Sequence, residues 1–122
     1  MEGFGTVGTP DQVIVMTSAG CYDIESYARG SWHMAHYSPG MGGATAPFNI
    51  SQLRWRSAYS PTIETLHLYL PQELLLEAGE EYRRAGRRFS YSPFDFLSVE
   101  DPLIYETLRA LARGIELSAS DL

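Results

Sequence analysis

The stretch TLHLYLP, residues 65–71, places leucine at every second position, with histidine and tyrosine between the leucines. Successive side chains of a β-strand point to opposite faces of a sheet, so this alternation predicts a strand with one apolar face. The leucines are expected to pack on the core, while His67 and Tyr69 share the other face. Pro71 suits the first turn of a following helix, where its missing N–H has no intrahelical partner. The pattern leaves open whether His67 and Tyr69 line a pocket or pack outside it.

The chain before this stretch reads as further β-structure. A short apolar run occupies residues 13–17, and apolar and polar residues alternate in the segments 21–28, 31–37 and 52–58. Turn signals rich in glycine, proline and serine separate these segments. Several short strands divided in this way predict an antiparallel sandwich or a small barrel, with strands up to about residue 70.

Residues 1–12 are expected to form a flexible N-terminal arm. They include GFGTVG at residues 3–8, which has the glycine spacing of a dinucleotide-binding loop. Such a loop needs a strand before it and a helix after it, whereas this segment starts at the third residue and runs into a β pattern. The sequence therefore favours an arm over a nucleotide site, followed by a single domain over residues 13–122.

After Pro71 the hydrophobic period changes from that of a strand to that of a helix. The segments 72–85 and 101–117 are each predicted to be helical, and Asp101 is expected to cap the second one. The second helix carries an apolar stripe at the spacing i, i+4, i+7, i+11. The stripe consists of Ile104, Leu108, Leu111 and Ile115. The predicted fold is therefore mainly β: a small antiparallel barrel or sandwich followed by two C-terminal α-helices.

Charge narrows the possible partners. The 122 residues include nine arginines, no lysine and 15 acidic residues, for a net charge of −6. Proteins bind nucleic-acid backbones and anionic membrane surfaces largely through Lys and Arg, so neither is expected as a direct partner of this chain.

No apolar run approaches the ~18 residues of a transmembrane helix, and the N-terminus lacks the features of a signal peptide. Cys21 is the only cysteine, which excludes an internal disulfide and favours a cytoplasmic location.

Catalytic and metal chemistry find little support in the sequence. His33 and His36 form an H-x-x-H pair, but odd spacing on a strand sends them to opposite faces, and His67 is the only other histidine. No serine occupies a G-x-S-x-G elbow, and Cys21 has no base near it in the sequence. We expect no catalytic residue, no metal site and no cofactor.

Aromatic side chains are the better candidates for a site. A small barrel either fills its interior with such residues or encloses one small ligand, and aromatic walls with a few polar tips are typical of small-molecule pockets. Core packing is the alternative for each of them. The candidate pocket residues are Trp32, Tyr37, Trp55, His67 and Tyr69.

Two helical features are candidates for partner contacts. The apolar stripe of the second helix either folds onto its own domain or pairs with a second copy of the chain, so its residues form a candidate dimer interface. Arg83, Arg84, Arg87 and Arg88 form a basic cluster at the end of the first helix. Cations are favoured there by the helix dipole alone, and contact with an acidic partner is the alternative.

These segments together resemble the N-terminal half of AraC-type regulators, a family of bacterial transcription factors. The resemblance rests on LRWRS at residues 53–57, on TLHLYLP, on the acidic helix after it, and on DPLIYETLRALARGIE at residues 101–116. SPGMGG at residues 38–43 is similar to a Pro-Gly turn of the family. The resemblance spans roughly residues 13–117, and its two most specific elements are the LHLYLP strand and the DPLI helix start.

The resemblance implies a cupin-like barrel that holds a small-molecule effector and helices that pair two subunits. It also implies a separate DNA-reading domain with helix-turn-helix motifs, which is expected to be missing from this chain because the chain stops at Leu122. Metal-binding cupin enzymes carry a closely spaced H-x-H with a following Glu, which is absent here. The expected function is therefore effector sensing and homodimerisation without catalysis. The alternative is a small stand-alone cupin-like enzyme or a protein that binds a sugar or small acid.

Overall fold

The computed structural model describes residues 2–5, 8–56, 61–88 and 92–120. Within these ranges the chain is mainly β, with two antiparallel sheets arranged as a sandwich and two helices towards the C-terminus. The predicted fold class is therefore confirmed as its sandwich form, without a closed barrel. The elements are β1 Glu2–Gly5, β2 Gln12–Ala19, β3 Tyr22–Ala28, β4 Ser31–Tyr37, β5 Met41–Thr45, β6 Gln52–Arg56, β7 Glu64–Leu70, α1 Gln72–Arg84, β8 Phe96–Glu100 and α2 Pro102–Ser120.

The second helix covers the outer face of one of the two sheets. Sheet A has the strand order β1-β6-β3-β4, and sheet B has the order β7-β2-β5-β8. The second helix packs on sheet B, on the side away from sheet A. Its Leu108 is buried together with Ile14, Met16 and Ala44 of sheet B. This sandwich of three layers divides the apolar residues between two cores.

The first core lies between sheet B and α2 and explains the leucines of β7. Leu66, Leu68 and Leu70 all pack against the buried cluster around Ile14 and Met16. Asp101 caps the helix as predicted, because its Oδ1 accepts hydrogen bonds from the backbone N–H groups of Leu103 at 3.0 Å and Ile104 at 3.2 Å. The cap fixes where α2 begins, which places its first apolar turns over the sheet.

The second core lies between the two sheets. Tyr22, Ile24 and Tyr37 of sheet A are buried there, with partly buried apolar side chains of both sheets packed around them. The hydroxyl of Tyr37 donates a hydrogen bond to the backbone carbonyl of Leu97 in β8, which joins the two sheets. These three side chains also border an open part of the inter-sheet space, which is the site described below.

Close backbone contact between β2 and β5 requires glycine. Gly42 pairs with Met16 in the ladder, and a Cβ atom at Gly42 would lie 1.7 Å from the carbonyl oxygen of Val15. Any side chain at this position would force the strands apart. The predicted turn at residues 38–43 thus continues into β5, and its glycines allow the strand to lie flat against β2.

Hydrogen bonds of the Gln12 side chain connect the loop before β8 to sheet B. Its side chain is fully buried, and its Nε2 donates to the carbonyl oxygens of Thr45 at 2.8 Å and Phe94 at 2.9 Å. Its Oε1 accepts from the N–H of Phe94 at 3.2 Å. A buried amide with partners on both its oxygen and its nitrogen avoids the cost of desolvation and fixes the position of a distant segment.

Two details differ from the sequence expectation. The predicted arm contains β1, which pairs antiparallel with β6 through main-chain groups, so its formation needs no apolar pattern. A strand, β8, also lies between the two helices and pairs with β5. Residues 6 and 7 of the GFGTVG segment and the last two residues of the alternating segment 52–58 lie outside the described residues. Within the part that is described, neither helix is long and apolar enough to cross a membrane.

Candidate functional site: a cavity between the two sheets

The alternation of β7 places its polar residues on the inter-sheet side. Because the leucines of β7 pack towards α2, Thr65, His67 and Tyr69 point to the opposite face, where they line a cavity. The cavity has a volume of about 540 Å³ and lies between sheets A and B. This volume is within the range of small-molecule sites in proteins. The question left open by the sequence is settled in favour of an inward orientation of His67.

Sheet B contributes a wall of mixed polarity. Val13 lies opposite Tyr69 on one side and Thr45 on the other, and Val15 lies between His67 and Gly43. These two cross-strand rows present aliphatic, aromatic and hydroxyl groups side by side. A Cβ atom at Gly43 would come within 2.8 Å of the Tyr37 hydroxyl oxygen, so the glycine leaves room for that group.

Sheet A contributes the more apolar wall. Tyr22, Ile24 and Ser26 of β3 alternate along the cavity side, and Leu53 and Trp55 of β6 lie beside them. The register pairs Ile24 with Trp55 and Ser26 with Leu53. The indole and the isoleucine thus form a continuous surface that faces the rows of sheet B.

The buried phenols of the cavity are held in the neutral form. Burial raises the pKa of Tyr22, and burial together with the nearby Tyr22 raises the pKa of Tyr37. The Tyr37 hydroxyl already donates to the Leu97 carbonyl. Both phenols therefore remain protonated at neutral pH and act as hydrogen-bonding groups of an apolar wall rather than as bases.

The exposed lining residues mark the opening of the cavity. His67 is exposed, and its Nε2 lies 3.1 Å from the Thr65 hydroxyl oxygen. The ring of Tyr69 is stacked on that of His67, with centroids 6.4 Å apart, and Tyr69 is 52% exposed. Asp95 also lines the cavity, from the segment before β8 at the other edge of sheet B, and the side-chain amide of Asn49 donates to its carboxylate. A molecule that enters the cavity beside β7 would meet the polar groups of that strand first.

The structure brings together four of the five predicted pocket residues. Tyr37, Trp55, His67 and Tyr69 all line the cavity. Trp32 lies instead on the outer face of sheet A, where the guanidinium of Arg54 stacks over its ring at 3.6 Å from the centroid. The physical reason is the strand period: Trp32 and Tyr37 are five residues apart on β4, so they point to opposite faces.

Several cavity residues were not predicted from the sequence, although a signal for them exists. Once His67 and Tyr69 are known to face inward, the register of β2 and β5 identifies their neighbours on the same face. Most of the missed side chains are hydroxyls and aliphatics, which carry no motif. They include Val13, Val15, Ser26, Thr45 and Thr65.

The outer face of sheet A carries a ladder of ion pairs. Asp23 is buried beneath its neighbours, with His36 Nδ1 at 2.8 Å and Arg56 Nη2 at 3.4 Å from its carboxylate oxygens. The hydrogen bond with His36, supported by Arg56, lowers the pKa of Asp23. Arg54 pairs with Glu25 at 2.6 Å in the next rung. These ion pairs engage charged side chains on the face of sheet A that points away from the cavity.

The three histidines lie in separate places. His67 lines the cavity, His36 binds Asp23 on the outer face, and His33 lies near the Ala28 carbonyl, with 3.2 Å between its Nε2 and that oxygen. Among the described residues, no group of three or more His, Cys, Asp and Glu side chains is close enough together to hold a metal ion.

The structure divides the apolar stripe of α2 into two halves. Ile104 and Leu108 pack on the domain's own sheet B, so these two residues of the predicted dimer interface are already covered. Leu111 and Ile115 are 52% and 71% exposed. The arginines of the basic cluster are all exposed, and Arg83 pairs with Glu80 one turn earlier at 2.9 Å.

Comparisons of the chain with models of protein families, with curated proteins and with solved structures gave no match.

Proposed function

We propose that this chain is the effector-sensing and dimerisation domain of an AraC-type transcriptional regulator. The observation that carries the proposal is the cavity of about 540 Å³ between the sheets, lined by four aromatic or imidazole side chains that the sequence pattern selected. A cavity of this size with apolar walls and a few polar groups has the composition of a small-molecule site.

The proposed activity is binding, without transformation of the ligand. The two buried tyrosines have raised pKa values and therefore lack the lowered pKa that would make a phenol a base or nucleophile. Thr65 and His67 lie close together, but no third group that would orient the imidazole as a base is described beside them. Hydrogen bonding to a ligand is the role that this pair supports best.

Dimerisation belongs to the same proposal and uses the second half of α2. Leu111 and Ile115 continue the apolar stripe beyond Ile104 and Leu108, which pack on sheet B, but they are exposed. A second copy of the helix would cover them with the same spacing of apolar residues. We propose a homodimer in which each subunit presents these residues to the other.

The proposal also includes a cytoplasmic location and no direct contact of this domain with DNA. A net charge of −6 without any lysine opposes binding to a phosphate backbone. The lone Cys21 suits a reducing compartment. DNA recognition would belong to another part of such a regulator.

A thermal-denaturation screen of small molecules tests the sensing function. A ligand at 100 times its Kd should stabilise the protein by about 2.7 kcal/mol. Val15→Phe, which places a ring in the cavity, should abolish the stabilisation. Met34→Phe adds the same ring on the exposed outer face of sheet A and should leave the stabilisation unchanged. Equal stabilisation of wild type and Val15→Phe by every active compound would contradict binding in the cavity.

A further inference from the structure

The cavity contains no permanently positive group. All nine arginines lie in described parts of the chain, none of them lines the cavity, and the chain has no lysine. His67 is the one lining side chain in the described residues that can carry a positive charge, and imidazole, unlike guanidinium, is not permanently charged. A buried carboxylate or phosphate on a ligand would therefore lack a fixed counter-ion.

Strand alternation explains why the arginines nearest to the cavity are outside it. Trp55 points inward from β6, so Arg54 and Arg56 on either side of it point to the outer face. There they are engaged by carboxylates, Arg54 with Glu25 at 2.6 Å and Arg56 with Asp23 at 3.4 Å. Neither can turn inward without crossing the sheet and leaving an acidic partner behind.

The charge that does lie at the cavity is negative. Asp95 is one of the lining residues, with only the neutral amide of Asn49 donating to it among the described contacts. The chain as a whole carries −6, which adds a repulsive field for anions that approach. The Asp95 carboxylate and the negative net charge both disfavour an anionic ligand, and neither disfavours a neutral one.

The remaining polar groups are suited to neutral partners. The hydroxyls of Ser26, Thr45 and Thr65 can each donate one hydrogen bond and accept others, and apolar side chains such as Val15 and Trp55 line the same cavity. A charged group moved into such surroundings without a counter-ion loses its hydration and gains little in return. Hydroxyl or amide groups of a ligand would lose less and could be satisfied by these side chains.

We infer that the occupant of the cavity is an uncharged molecule with apolar surface and a few hydroxyl or amide groups, and that carboxylates and phosphates are excluded. This inference rests on the proposed sensing function, because it assumes that the cavity binds a small molecule. The sequence left two ligand classes open, sugar-like neutral molecules and small acids. The inference favours the neutral molecules.

Matched pairs of probes test the inference. Each pair joins an alcohol to the carboxylate with the same ring: benzyl alcohol and benzoate, cyclohexylmethanol and cyclohexanecarboxylate, naphthylmethanol and naphthoate. Their affinities for the intact chain at neutral pH are measured by NMR titration. We expect the alcohol of each pair that binds to do so about tenfold or more tightly than its carboxylate, the factor that corresponds to 1.4 kcal/mol.

A variant that introduces a positive charge tests whether the missing counter-ion is the cause of the preference. Thr45→Arg places a guanidinium at the rim of the cavity and should raise the affinity for the carboxylates, whereas Thr45→Gln adds a similar polar length without charge and should not. Folding of both variants is checked by the dispersion of their amide NMR signals. If one fails this test, Thr65→Lys and Thr65→Gln provide the same contrast from β7.

The outcomes distinguish the inference from the function beneath it. Tighter binding of alcohols, with a reversal only in the arginine or lysine variant, supports both. Carboxylates that bind the wild type as tightly as alcohols, at signals of cavity residues, overturn the uncharged ligand and leave the sensing function in place. Failure of every probe to perturb the signals of cavity residues counts against the sensing function and the inference together.

Discussion

The two faces of sheet B are built from the same strands but differ in packing: one is part of a closed core, and the other lines a cavity. Towards α2, Ile14, Met16 and the leucines of β7 form a closed core with Leu108. Towards sheet A, Val13, Val15 and the intervening residues of β7 surround a cavity. One face is therefore closed by packing, and the other borders both a second core and a space for a ligand. The comparison shows that a single alternating strand can specify a core and a site at once, because its period assigns each residue type to one face.

The largest expected effect lies on the closed face. Leu108→Ala removes a side chain that is 5% exposed and packed against Ile14, Met16 and Ala44. Loss of apolar contacts and the cavity left behind should lower the free energy of unfolding by about 2–5 kcal/mol. Urea denaturation of the wild type and the variant measures the change. A loss below about 1 kcal/mol would contradict a closed core on this face, because exposed sites are the ones that tolerate such truncations.

Adjacent residues of β7 provide a sharper contrast. Leu68→Ala acts on the closed face and should destabilise by roughly 1–3 kcal/mol, since Leu68 is partly buried against the core. Tyr69→Ala acts on the open face, where the ring is 52% exposed, and should change stability by less than about 1 kcal/mol. The same Tyr69 variant should weaken binding of any compound that stabilises the wild type. The reverse order of effects would show that the orientation of β7 has been assigned incorrectly.

The exposed half of α2 extends the comparison to a surface with no partner in the domain. Leu111→Ser combined with Ile115→Ser should convert the proposed dimer to monomer and change the stability of the monomer by only about 0.5 kcal/mol. Sedimentation velocity at several concentrations measures the association. Leu76→Ser, an exposed apolar residue of α1, is the matched control and should leave the dimer intact. A wild-type chain that remains monomeric would remove the dimer from the proposal.

The smallest expected effect concerns sheet A and its dependence on pH. The folded-state pKa of Asp23 lies below its ordinary value of 3.8, so this carboxylate stabilises the fold above that pH. The contribution should be lost as the pH falls from 3.8 through the lower folded value. Asp23→Asn removes the titrating group, so the variant should lose less stability than the wild type between neutral pH and about pH 3. Parallel curves of unfolding free energy against pH for the two proteins would contradict the role given to His36 and Arg56.

The sequence was sufficient for the elements with strong periodicity or clear caps. The alternation of β7, the cap of α2 at Asp101 and the apolar stripe, of which Ile104 and Leu108 pack on the core, all follow local rules. Local rules also placed Trp32 and Tyr37 on opposite faces of β4, so one of the two was certain to lie outside any single pocket.

The remaining features depend on contacts between distant segments. Gln12 reaches Phe94, 82 residues away in the chain, and no local pattern signals that a glutamine will be buried. The pairing of β1 with β6 uses main-chain groups, which every sequence possesses. The choice of the cavity wall similarly depended on which sheet lies opposite His67, a matter of topology rather than of residue type. The strand period fixes the two faces, and the tertiary pairing decides which face meets a ligand.

The two tryptophans allow the most direct test of the central claim, that the inter-sheet face of sheet B and the facing wall of sheet A bind a small molecule. Trp55 lines the cavity and Trp32 lies on the outer face of sheet A. Their indole N–H signals in a two-dimensional ¹H–¹⁵N NMR spectrum are assigned from the Trp32→Phe and Trp55→Phe variants. Titration with naphthylmethanol should shift the Trp55 signal in a saturable way and leave the Trp32 signal in place. A saturable shift of Trp32 alone, or no shift of Trp55 at saturating probe, would contradict the account.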